Sequence, residues 1–171
     1  MDYNDEETVY LYQLLIYKQL KQYVIECIDE KDFYVSEQEK ILLFQNKEDI
    51  EKYVKRNKID LEESDMAEET IDLDKLAHWL NEKQIAFDNS EFLTLWNFFD
   101  DVSFSIKKIF IGNGNDYDNI YVKLFHGNNL PTINTSGKEY VPEWNDNEII
   151  KIRNVMKAGL ELFGDNICIY N

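Results

Sequence analysis

Tyr23-Val24-Ile25-Glu26-Cys27-Ile28 and Ile41-Leu42-Leu43-Phe44 are the two runs on which the fold turns. Both are rich in β-branched and aromatic side chains, which suit a pleated, half-buried surface, so both read as strands of an antiparallel meander. The charged stretch Asp29-Glu30-Lys31-Asp32 closes the first. Upstream, Thr8 to Leu20 reads either as a first strand or as a helix. For the helix, Asn4 would be the cap, with Asp5, Glu6 and Glu7 in its first turn. The strand reading is preferred.

Downstream the pattern turns helical. Asn46 stands as N-cap before Glu48 and Asp49, and Ile50, Tyr53 and Val54 follow at helical spacing. Leu73, Leu76, Ala77 and Leu80 repeat the spacing. Phe92, Leu95, Trp96, Phe99 and Val102 form a wide aromatic stripe. Tyr117, Ile120, Tyr121, Leu124 and Phe125 form another, with Asn115 as its cap. Asn145 and Glu148 have capping-box spacing ahead of Ile149, Ile152, Met156 and Phe163, and Gly164 suits a left-handed stop. The expectation is an α+β fold: a small antiparallel N-terminal sheet followed by about five helices packed on it. One domain spans residues 1–171, strand-rich over 8–45 and helical over 46–164. All six glycines and both prolines lie at or after Gly112, so turns in the first 111 residues must use other residues.

The chain has 171 residues, 44% of them hydrophobic and 14% aromatic, enough to bury a core. Lys and Arg number 18 against 34 Asp and Glu, a net charge of -16. That balance opposes direct contact with nucleic-acid backbones and with anionic membrane surfaces. No window approaches a membrane span, and the N-terminus lacks a signal-peptide pattern, so the expected compartment is the cytoplasm. Cys27 and Cys168 read as reduced thiols.

The densest charge feature is Asp60 to Asp74. It carries Asp60, Glu62, Glu63, Asp65, Glu68, Glu69, Asp72 and Asp74 with no basic residue between them. It reads as a solvated connector or as a docking patch whose field draws in a basic partner. Trp96-Asn97-Phe98-Phe99-Asp100-Asp101 is the second acidic spot. Phe98 falls off the core stripe beside two carboxylates, so it reads as a surface anchor or as packing under a neighbouring helix. His126 is the residue best placed for a general base, with Asp116 or Asp118 as partner in the Gly112–Asn134 loops. No nucleophile elbow, phosphate loop or metal-ligand spacing accompanies it, so no catalytic residue, cofactor or metal is expected. The oxygen-rich run Asn113–Asn119 lacks the order of a calcium loop.

In its charge, its Asp60–Asp74 cluster, its mixed α+β pattern and its lack of a catalytic signature, the chain resembles the small acidic immunity proteins encoded beside bacterial toxins. The resemblance covers the whole chain in character and rests on no single motif. It implies one-to-one binding to a basic toxin domain, such as a nuclease, whose active-site cleft is occluded. Glu62, Glu63, Asp65, Glu68, Glu69, Asp72, Phe98, Asp100 and Asp101 would form the inhibitory surface of a monomer or weak dimer. The alternatives are a small enzyme or ligand-binding domain built on His126, and an adaptor or structural domain whose charge serves solubility.

Overall fold

The computed structural model describes residues 8–62, 70–83 and 86–171. Two long strands, β1 (Val9–Tyr17) and β2 (Leu20–Ile28), pair antiparallel along their full length. The strand reading of residues 8–20 therefore holds. Short strands follow: β3 (Phe33–Tyr34), β4 (Ser36–Glu37) and β5 (Lys40–Leu43). Helix α1 (Lys47–Asn57) is capped by Asn46, whose side chain accepts from the Asp49 amide. β6 (Ile71–Asp72) leads into α2 (Leu73–Asn81) and α3 (Asn89–Ser105). Two single 3-10 turns, Ile111–Asn113 and Asn115–Tyr117, precede α4 (Asp118–Gly127), so Asn115 lies inside a turn and is not the helix cap. The capping box of Asn145 and Glu148 opens α5 (Asp146–Asp165), and β7 (Ile167–Ile169) closes the chain.

The architecture is mixed, with N-terminal sheets and helices after them, but the sheets recruit late residues. One sheet has the order β3-β2-β1-β6 and the other β4-β5-β7. β6 and β7 both pair in parallel, with β1 and β5 respectively. The expected purely antiparallel, purely N-terminal sheet is thus corrected: residues 71–72 and 167–169 complete its edges. A two- or three-residue strand has no periodicity to read, and its partner alone defines it.

The β1–β2 hairpin divides two apolar clusters. Successive side chains of a strand point to opposite faces. Leu15 and Val24 face the larger cluster with Tyr34, Leu73, Phe99 and Phe163. Ile25, with Tyr10, Tyr12 and Tyr23, faces a second cluster with Phe44, Ile50 and Tyr53. The turn between the strands is Lys18-Gln19, both residues with positive φ. That is the mirror-type two-residue turn usually made by Asn-Gly. Here Asp74 of α2 stabilises it: its two carboxylate oxygens accept from the Lys18 and Gln19 amides at 2.7 Å each. Gln38-Glu39 makes the same kind of turn between β4 and β5.

α3 is the central helix, packed against β3, α4 and α5. A Cβ on Gly159 of α5 would overlap the Phe99 ring, so the glycine sets the closest approach of α5 to α3. Gly164 does not stop α5, which runs on to Asp165. A Cβ there would come within 2.6 Å of the Tyr17 hydroxyl, so the missing side chain makes room for β1. The stop is Asn166, which donates from its amide to the Phe163 carbonyl and from Nδ2 to the Leu162 carbonyl. Among the described residues no helix is long and apolar enough to cross a membrane.

Replacing Gln19 by Gly relieves a left-handed backbone while keeping the amide that Asp74 receives, and is expected to stabilise by up to about 1 kcal/mol. Asp74→Ala removes both acceptors and is expected to cost about 1–2 kcal/mol. Urea unfolding of the two variants checks both signs.

Candidate functional site

The C-terminal half of α3 meets the β2–β3 loop, and there the chemistry concentrates. Ser105 joins them: its Oγ accepts from the Tyr34 amide at 2.7 Å and donates to the Asp101 carbonyl at 2.6 Å. The loop then places Lys31 over α3. Its Nζ lies 2.6 Å from Asp100 Oδ2 and 2.6 Å from Asp101 Oδ1, clasping the loop to the helix. The other Asp100 oxygen accepts from Asn113 Nδ2. One carboxylate oxygen each from Glu26, Asp32 and Asp101 lies within 4.8 Å of the others. Glu26 also accepts from Gln13, which in turn accepts from the Tyr34 hydroxyl.

Four carboxylates around one ammonium leave a net negative cluster. Burial pushes the Asp101 carboxyl up to about 6, against the opposing pull of Lys31, while Asp100 and Asp32 add repulsion in the same direction. Burial lowers the Lys31 ammonium, but hydrogen bonds to Asp100 and Asp101 outweigh it and hold the group above its ordinary value. Lys31 thus already supplies the cation that these carboxylates attract.

The clasp borders an acid-lined hollow and the exposed ring of Phe104. The hollow, about 310 Å³, is lined by Trp96, Asn97, Asp100, Asn113, Asp118 and Tyr121. Phe104, one turn beyond Asp100 on α3, is 52% exposed, and the Lys31 ammonium stands 5.9 Å from its ring centre. Ile28, just before the acidic loop, is 39% exposed, and Ile109, after α3, is 92% exposed. Asp29 and Glu30 are exposed on the same loop.

The structure distributes the expected docking residues unevenly. Phe98 is only 2% exposed and lies edge-on to Tyr34 at 5.1 Å, with Phe163 at 5.5 Å. Its reading as a surface anchor is therefore corrected. α3 is apolar nearly all round because three elements cover it, and a residue off its main stripe is still interior. Asp100 and Asp101 stay together but are engaged by Lys31. Asp72 caps α2 by accepting from the Lys75 amide, and lines a hollow of about 290 Å³ with Asp88 and Glu91. Glu62 is exposed beside a smaller hollow with Asp60 and Tyr10. Glu63, Asp65, Glu68 and Glu69 lie outside the described residues.

Asp118 and His126 do not form the expected pair. Asp118 begins α4 and His126 lies in its last turn, eight residues or about 12 Å along the axis, with His126 exposed near Tyr140. Sequence reasoning missed Phe104 and Ile28. The available signal was the change from apolar to Ser-Ile-Lys-Lys after Phe104, which marks a helix running out into solvent.

No protein-family model matches the chain, and no curated protein matches it. Among solved structures, the C-terminal domain of SatS, in a crystal structure in complex with bromine, resembles it with a TM-score of 0.54 at 8% identity. The likeness covers 94% of this chain and 93% of that one, and it is a likeness of fold.

Phe98→Ala should cost about 3–5 kcal/mol of stability, as core aromatic truncations do, whereas Phe104→Ala should stay within about 0.5 kcal/mol. Thermal unfolding of the pair separates the core residue from the surface one.

Proposed function

We propose that the chain is a non-catalytic inhibitor of the immunity type, binding a basic protein domain one-to-one and covering its cationic cleft. The observation that carries this reading is the surface at the end of α3. Exposed Phe104 lies under the ammonium of Lys31, whose loop follows exposed Ile28 and carries Asp29, Glu30 and Asp32, and the Asp100 that Lys31 grips lines a hollow with Asp118. Apolar anchors beside carboxylates fit a partner that presents lysine or arginine around an apolar patch. The net charge of -16 extends that field and would speed encounter with such a partner. A toxin cleft that binds phosphates is positive for the same reason, and an acidic protein competes for it directly.

In this reading Phe104 replaces Phe98 as the aromatic anchor. Asp29, Glu30 and Asp118 join the steering acids, while Asp100 and Asp101 hold the loop in place. The acids of residues 60–72 add long-range attraction.

The test is capture of a partner at low salt, followed by association kinetics and assay of the partner's own activity. Asp29→Lys with Glu30→Lys is expected to slow association about tenfold at low salt with little change in dissociation. Phe104→Ala is expected mainly to speed dissociation. Unchanged kinetics in both variants would remove this surface from the proposal. A partner left fully active in the complex would remove inhibition itself.

A further inference from the structure

We propose that the Lys31 clasp is a proton-linked device: Asp101 takes up a proton as pH falls, and this resets the charge of the α3 end. The geometry supplies the reason. Asp101 is 9% exposed, yet it faces charged or titratable groups on α3, the β2–β3 loop, β2 and α4. Asp100 neighbours it on α3, Lys31 and Asp32 face it from the β2–β3 loop, and Glu26 from β2. Tyr121 of α4 is close enough to feel Asp100, Lys31 and Asp101. Counting Glu26, Asp32, Asp100 and Asp101 against Lys31, the fully ionised cluster carries three net negative charges, with Asp101 its least solvated carboxylate. A proton on Asp101 lowers that to two and leaves Lys31 paired with Asp100.

The charge on Asp101 is the one that burial opposes most, so the proton goes there. The sign follows from linkage. A carboxyl whose folded-state value of about 6 lies above its ordinary 3.8 binds protons more tightly in the native state. Its contribution to stability is complete below the ordinary value and is lost as pH rises through about 6. This opposes the usual acid destabilisation by paired carboxylates. It also means that a cation docking beside the cluster would expel the proton.

The device can be tested on the chain alone. In a carbon-detected titration of the side-chain carboxyls of the wild-type protein, assigned through the backbone, Asp101 should titrate near pH 6, well above the ordinary aspartate value of 3.8. Lys31→Met should move its midpoint further up, because the cation paired with it is gone. An Asp101 midpoint near the ordinary 3.8, or one unmoved by Lys31→Met, overturns the device.

A second arm rests on the docking reading above. For a captured partner, wild-type association should slow several-fold between pH 7.5 and 5.5, while Asp101→Asn should show a smaller change. If the titration is as expected but both proteins respond to pH alike, the device stands and the docking of a basic partner at this surface fails.

Discussion

The carboxylate of Asp74 holds the turn on which the rest of the fold is hung. Lys18 and Gln19 occupy a left-handed region that L side chains resist, and Asp74 receives both of their amides. With the turn fixed, Tyr17 pairs with Leu20 and the register is set for nine residue pairs up to Val9 and Ile28. A slip of one residue would exchange the faces, sending Leu15 and Val24 into the tyrosine-rich cluster and Tyr12 and Ile25 into the main core. The helix that supplies Asp74 packs on that same core, so the turn and the core enforce each other.

The acidic excess is therefore not one uniform coat. Asp74 pins a turn, Asp72 and Asp88 cap helices, and Asp100 and Asp101 hold a loop through Lys31. Carboxylates with such local work stand beside others that point outward, such as Asp29, Glu30 and Glu62. The first kind builds the surface on which the second kind is displayed. The β2–β3 loop shows both at once: its lysine is consumed internally, and its exposed residues are left acidic.

Legibility in the sequence followed how local each signal is. The β-branched runs gave β2 and β5, and the caps at Asn46 and Asn145 were readable because a cap and its target lie three residues apart. The hairpin turn was not, since Lys-Gln has no turn signature and its support comes from 55 residues away. β6 and β7 escaped for the same reason: strands so short exist only through distant partners. Gly164 suggested a stop but serves a neighbouring strand, a role that only the tertiary structure reveals. At the site, Asp100 and Asp101 were visible as a pair, but Lys31, about 70 residues earlier, was not. Phe98 lies inside and Phe104 outside because α3 is covered on several sides and then emerges at its end.

Amide hydrogen exchange on the chain, free and saturated with a captured basic partner, decides whether the end of α3 is the docking surface. New protection is expected over Ile28–Asp32 and over residues 104–113, at the end of α3 and the turn after it. Protection confined to the loop around His126 and Tyr140, with the β2–β3 loop unchanged, would contradict it.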